Sequence, residues 1–412
     1  MYRNNIVTEG EYDKSQAQLS LLEKLIVLLL FLASVNFKGY GLYFVPLAFV
    51  VFCMGKQLIA TNIGIVPLLL LSLGILLFDD GAMSDMAGVV KWLVWPLAYN
   101  LGYGIVALKG NDKASYRETE KKATLFFSAC AIGFFTHIVL NLWINRGDDS
   151  IGRNILDYWT GASRAATGQA MIACIPLGFF IASFFYTKEL GKRLWILSAI
   201  LLILYFNLTI STRTIFAMAL LIAFVAIFYT MWQSGNQRRI KTLLMVAFLV
   251  FLAVLMYDNN IFGIRDTVEE SGFYRRFFGR SSQDIAEDNR WDNKLEYIRL
   301  MPDYLWGGGY IHRIVRGYAH DLFLDTYDEV GVVAFIALIM LIWSATAKLI
   351  RLIKTQRVDF RIRMTVLCIY AALYMEFMIE PIFAGGPELL MIFCFFHGMV
   401  TRLVSNAKAL SS

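Results

Sequence analysis

The sequence predicts an all-α, polytopic membrane protein of about twelve spanning helices with one large outer loop. Three observations carry that prediction. The 412 residues are 58% hydrophobic and only 17% charged, whereas soluble domains are about 25% charged. The apolar residues gather into runs of about 20, the length that crosses a bilayer as a helix. Lys and Arg are divided unevenly between alternate connections, as the positive-inside rule requires.

In order, the runs cover 19–37, 40–57, 62–79, 85–108, 123–145, 165–187, 193–210, 213–233, 242–258, 329–350, 363–380 and 386–404. The first reads as a retained span. A long polar N-terminus precedes it and no small-residue cleavage site follows. With the N-terminus inside, the inner segments hold 23 Lys and Arg, and the short outer loops hold five: Lys38, Arg146, Arg153, Arg164 and Arg213. Segment 259–328 adds nine on the outer side, but long loops translocate largely regardless of charge. The two faces also differ in kind: twelve Arg and two Lys (Lys38 and Lys294) outside, ten Arg and thirteen Lys inside. Arginine grips phosphate with a planar fork of donors, so the outer face suits a phosphate ligand. Ordinary lipid headgroups account for that bias equally well at this point.

No internal repeat, low-complexity tract or soluble domain interrupts the pattern, so 1–412 reads as one integral membrane domain. Cys53, Cys130, Cys174, Cys368 and Cys394 all fall within spans and form no CxxC pattern, which makes buried bulk their expected role. The net charge of +6 follows from the inner lysines and arginines and implies no nucleic-acid partner.

The loop 259–328 is too long and too aromatic to be a plain connection. Within it, Arg290 to Ile298 reads as a short amphipathic helix with Trp291, Leu295 and Ile298 on one stripe. Asp288 or Asn289 suits its N-cap, and Pro302 follows its end. Gly307, Gly308 and Gly309 form a flexible turn, and His320 opens the segment that runs into the tenth span.

Three arginines sit at or near expected helix N-termini: Arg164 before the sixth span, Arg213 before the eighth, and Arg290 at the loop helix. The helix dipole disfavours a cation there by about 0.3–1 kcal/mol. A bound anion reverses that sign, because free N–H groups, dipole and guanidinium then converge on it. Thr209, Ser211, Thr212 and Thr214 surround Arg213 with hydroxyl donors. The bland alternative, a snorkelling arginine on lipid phosphate, stays open for each. His320, within Tyr318–Leu324 at the edge of a span, is a candidate base. His312 lies beside the glycine turn, while His137 and His397 fall within spans and suit packing. Lys91, Glu376 and Glu380 are costly inside spans. Glu376, Glu380 and Glu388 lie near the outer ends of the last two spans and are placed to line one cavity. There is no HExxH or comparable ligand spacing, so neither a metal nor another cofactor is expected. Asp79, Asp80 and Asp85, and likewise Asp321, Asp325 and Asp328, read as solvated loop acids.

The run from Gly307-Gly308-Gly309 through His320-Asp321-Leu322-Phe323-Leu324 to Gly331 resembles the signature of the O-antigen ligase and O-antigen polymerase superfamily. Ser211-Thr212-Arg213 is similar to its Ser-x-Arg turn, and Arg164 to Gly168 to its earlier Arg-x-x-x-Gly element. Asp321 departs from the pattern, where Asn is common. The resemblance covers most of the chain. It implies a metal-independent, inverting membrane glycosyltransferase of the bacterial inner membrane. Such an enzyme takes a glycan from an undecaprenyl-diphosphate carrier at the outer, periplasmic face and passes it to an acceptor sugar. Lipid A–core is the acceptor of a ligase and a lipid-linked repeat that of a polymerase; protein O-glycosylating enzymes share the signature. The outer charge is concentrated in one loop rather than two matched ones, which leans toward the ligase. On this reading His320 is the base, and Arg213, Arg290 and Arg164 hold the diphosphate. Tyr318, Asp321, Glu376 and Glu388 support them, with Glu376 or Glu388 orienting His320. Asp321 is excluded from orienting it if the segment is helical, since adjacent residues diverge. The competing class is a lipid-linked glycan transporter, which calls for repeats and broken helices at mid-membrane; neither is apparent.

Overall fold

The structure is a computed structural model and describes residues 19–55, 62–78, 86–108, 113–146, 154–210, 212, 214–233, 240, 244, 251–252, 254–270, 274 and 290–409. The described helices are α1 (Leu21–Ser34), α2 (Gly41–Met54), α3 (Val66–Phe78), α4 (Met86–Ile105), α5 (Lys113–Ile144), α6 (Ala166–Tyr186), α7 (Leu190–Thr209) and α8 (Thr214–Gln233). They continue with α9 (Ile264–Glu270), α10 (Arg290–Leu300), α11 (Tyr310–Val315), α12 (Leu322–Val330), α13 (Val332–Lys354), α14 (Phe360–Ile379), α15 (Ile382–Gly385) and α16 (Pro387–Ala409). Between α5 and α6, β1 (Asn154–Leu156) pairs antiparallel with β2 (Ser163–Ala165).

This is an all-α membrane protein. Seven of the described helices, α5, α6, α7, α8, α13, α14 and α16, are long and apolar enough to cross a membrane. Most of the expected run 242–258 lies outside the described residues. The first three runs fold as helices of 14, 14 and 13 residues, shorter than expected. The first stops where Asn36 and Lys38 turn left-handed (φ 49° and 52°) and the Asn36 side chain accepts the Gly41 N–H (2.9 Å), which starts α2 at once. The tenth run also differs: Gly331 (φ 87°) leaves its first two residues at the end of α12 and starts the span α13 at Val332.

α6 and α16 lie at the centre, with 83% and 78% of their span windows buried, whereas α7 and α8 are each 28% buried and peripheral. The outer ones leave Leu220, Phe224, Phe228 and Trp343 exposed, an apolar surface that water would not tolerate and lipid does. α16 lies directly on α4 because two glycines admit the close approach. A Cβ at Gly102 would sit 2.0 Å from the Phe395 carbonyl oxygen, and one at Gly398 2.1 Å from that of Tyr99. At the far end of the bundle from α10, Lys122 meets Glu23 at 2.7 Å in a buried ion pair. The hairpin was not expected: three residues per strand are too few for a sequence pattern to register, and it leaves the all-α class unchanged.

Candidate functional site

α10, α11, α12 and the turns between them form a small unit with its own core of Tyr297, Ile311, Ala319 and Tyr327. Three carboxylates shape it, and none is solvated. Asp321 is the N-cap of α12, its Oδ1 accepting the Phe323 N–H (2.9 Å) and, more loosely, the Leu324 N–H. Asp325 is 1% exposed and accepts the Ala319 N–H on Oδ1 (3.0 Å) and the Asp321 N–H on Oδ2 (3.2 Å). Asp328 is 2% exposed and accepts the Ile311 and His312 N–H groups (2.8 and 3.1 Å), so it caps the start of α11. The reading of these acids as solvated is therefore wrong. Their spacing sets them along one buried side of the start of α12, where Asp321 satisfies α12's own first N–H groups, Asp325 those of the turn just before it and Asp328 those of α11.

His320 lies between the two N–H groups that Asp325 holds, and its backbone is left-handed (φ 53°). That conformation costs a non-glycine residue about 1–2 kcal/mol, and the two hydrogen bonds to Asp325 offset it. Burial pushes the Asp325 carboxyl up to about 7; the backbone donors oppose that and Asp321 and Asp328 add to it. Burial likewise raises Asp328, against the pull of its backbone donors. The glycine turn is fixed as well. Gly307, Gly308 and Gly309 are all left-handed (φ 79°, 88° and 66°), and the N–H groups of Gly308 and Gly309 donate to the Glu329 and Asp328 carbonyls. A Cβ at Gly307 would stand 2.7 Å from the Gly331 nitrogen, so glycine at both positions lets the two turns touch.

α10 faces this unit. Lys294 donates from Nζ to Asp321 Oδ2 (3.2 Å) and to the Met378 carbonyl at the end of α14 (2.7 Å). Arg290 Nη1 lies 4.0 Å from Oε1 of the fully buried Glu380. The carboxylate at position 321 thus meets a cation that an amide there would not balance. Lys294 and Asp325 were not foreseen as site residues, nor was the pairing of Arg290 with Glu380. Only the aspartate spacing gave a signal, because partners from distant segments leave none.

Among the expected residues, the structure brings His320, Asp321 and Arg290 into one neighbourhood at the end of α14 and the start of α12, where Lys294 joins them. Tyr318 turns its ring onto His312 (centroids 4.9 Å apart). His320 and Asp321 precede α12, so the helical premise that excluded Asp321 as His320's partner does not hold. Glu376 is fully buried, with no hydrogen-bond partner for either carboxyl oxygen among the described residues, and Glu388 is half-buried in the first turn of α16. Neither has a described bond to His320. Arg213 lies outside the described residues, as do Asp79, Asp80, Asp85, Asp288 and Asn289, and the side chain of Lys91 is likewise not described.

Arg164 belongs to a second cluster. On β2 its Nε meets Asp157 Oδ2 at 3.1 Å, and the same carboxylate oxygen lies 2.9 Å from His137 Nε2. Asp157 Oδ1 accepts the Trp159 and Thr160 N–H groups and the Thr160 hydroxyl. Burial alone would raise the Asp157 carboxyl; His137 and Arg164 outweigh it and hold the group well below the usual carboxylate range. Arg164 is thereby half of an ion pair that closes the hairpin, which reduces its value as a free phosphate donor. Among the described residues, no group of three or more His, Cys, Asp or Glu side chains is arranged to hold a metal ion. No family model and no curated protein matches the chain.

Proposed function

We propose that this chain is a membrane glycosyltransferase that moves a glycan from an undecaprenyl-diphosphate carrier to an acceptor sugar. The finer topology belongs to the same proposal: about twelve spans, 259–328 in the periplasm, and the site on the outer face of the bacterial inner membrane. The observation that carries the reading is His320 held in a costly left-handed turn by a buried carboxylate, where the loop rejoins a membrane helix, with Lys294 on the adjacent Asp321 and Arg290 on Glu380. Strain of that kind is retained where it serves positioning.

In the reaction, the acceptor hydroxyl oxygen attacks the anomeric carbon from the face opposite the carrier, and the bond from that carbon to the diphosphate oxygen breaks. The hydroxyl proton passes to His320, and the electron pair leaves on the diphosphate. A positioned base of this kind is worth about 10²–10⁴-fold. Arg213 and Arg290 stabilise the charge that grows on the leaving group, and Lys294, one turn after Arg290 on α10, adds a point charge. Arg164 supports this from its hairpin. No residue is assigned to a metal. The acceptor we favour is lipid A–core.

Depletion in cells tests the reading. The expected result is accumulation of undecaprenyl-diphosphate-linked glycan at the outer face and loss of glycan from its acceptor. Loss only of long chains, with single repeats still attached, would reassign the enzyme as a polymerase. Accumulation of the donor at the inner face would make it a transporter and refute the proposal.

A further inference from the structure

We infer that α10 is an interfacial helix whose Trp291, Leu295 and Ile298 side chains seat in the surface of the phospholipid bilayer. The inference rests on the membrane reading of the spans and not on glycan transfer. At about 100° per residue, these three fall within about 60° of one another on the helix. They are 75%, 64% and 55% exposed, so no part of the described protein covers them. Tyr297, which is fully buried, and the half-buried Asn293 and Leu300 define the opposite side, turned to the protein. Asp292, Glu296 and Arg299 occupy the flank between, with Arg299 and Glu296 3.6 Å apart. The helix thus has a protein face, a polar face and an apolar face without an occupant.

Three contacts fix its level. Lys294 donates to the Met378 carbonyl at the end of span α14. In the turn after α10, the Leu305 carbonyl accepts from Val332, the first residue of span α13. Trp306 stacks on Phe78, the last residue of the apolar helix α3 (centroids 5.6 Å apart). The apolar face therefore lies at the level where the spans α13 and α14 and the apolar helix α3 end. Leu305 and Trp306 in the following turn are exposed at this level too, as are Val333 and Ile336 at the start of α13. The charges agree with a phospholipid surface. Lys294 lies 5.7 Å from the Trp291 ring, and Arg299 is exposed at the polar edge, within reach of phosphate. An aromatic and two aliphatic side chains on one side, with cations at the rim, is the pattern of a helix lying in the interface plane.

Spin labels placed singly at 291, 292, 295, 296, 298 and 299 test this, in the full chain with its five cysteines replaced by alanine, reconstituted in phosphatidylethanolamine–phosphatidylglycerol nanodiscs. Labels at 291, 295 and 298 should be several-fold more accessible to oxygen relative to a water-soluble nickel chelate than labels at 292, 296 and 299. High nickel accessibility at all six would put the helix in water and overturn the inference. Low accessibility of 291, 295 and 298 to both reagents would mean that protein covers them, a second copy or another part of this chain, and would overturn it equally. Should the cysteine-free background not fold, quenching by lipids brominated near the headgroup decides. The wild type must lose more tryptophan emission than W291F, and equal loss refutes the seating of Trp291.

Discussion

Replacing Asp325 by alanine removes the acceptor of two buried backbone donors, Ala319 N–H and Asp321 N–H. A buried donor left without a partner costs about 1–3 kcal/mol, so the local loss is about 2–6 kcal/mol. His320, between those two donors, then has nothing to offset the 1–2 kcal/mol of its left-handed backbone. Even 3 kcal/mol lowers the population of the working conformation by about 100-fold. Asp325→Ala should therefore cut glycan transfer by about two orders of magnitude while the chain still reaches the membrane. Asp325→Asn keeps one acceptor oxygen and loses the other, so its defect should be intermediate. Hydrogen exchange gives a readout independent of activity: the amides of Ala319 and Asp321 should exchange faster in Asp325→Ala. Wild-type transfer together with wild-type protection of those amides would refute the clamp.

Titration of the two buried carboxylates should act in opposite senses. Asp325 is raised to about 7, so between about pH 4 and pH 7 the folded state binds more protons than the unfolded. Stability then falls as pH rises through that window, and Asp325→Asn should flatten the slope in thermal unfolding followed across it. Asp157 is depressed instead, so its contribution is fully present above about pH 4 and is lost as pH falls below that. The destabilisation caused by Asp157→Asn should shrink on acidification. Arg213→Ala and Arg290→Ala should each abolish most transfer, and Arg213→Lys should do poorly because a point charge replaces a fork. Arg164→Ala should be milder in transfer and should lower the melting temperature, since Asp157 loses its partner; wild-type activity in Arg213→Lys would reduce that residue to a headgroup contact. Gly307→Ala should be worse than Gly309→Ala in melting temperature. Both positions are left-handed, but only the first puts a Cβ against Gly331, the nearest atom at Gly309 being 3.8 Å away.

Seven of the expected spans were legible because bilayer thickness imposes a length and composition that survive without any partner. α10 was legible for a similar local reason. The helix spans Arg290–Leu300, and Pro302 lies in the turn after it. Which side of α10 faces the protein was not legible. In water an apolar stripe turns inward, but Trp291, Leu295 and Ile298 turn away from the protein and Tyr297 turns in. Periodicity is silent on that sign when lipid is one of the solvents. Asp325 and Asp328 looked like solvent-facing acids because their partners are backbone N–H groups, of the preceding turn for Asp325 and of α11 for Asp328, which carry no side-chain signature. The Asp157–His137–Arg164 cluster joins residues 20 and 7 positions from the aspartate, on elements whose packing no local pattern announces.

The central claim is that His320 takes the acceptor proton while cations hold the carrier diphosphate. Its most direct test is purified His320→Ala beside Arg213→Ala and Arg290→Ala, measuring binding of undecaprenyl-diphosphate-linked glycan and its transfer separately. His320→Ala should bind the donor like the wild type and fail to transfer it, with the defect easing at higher pH, and the arginine variants should lose binding. His320→Ala without donor binding, beside arginine variants that keep it, would contradict the assignment.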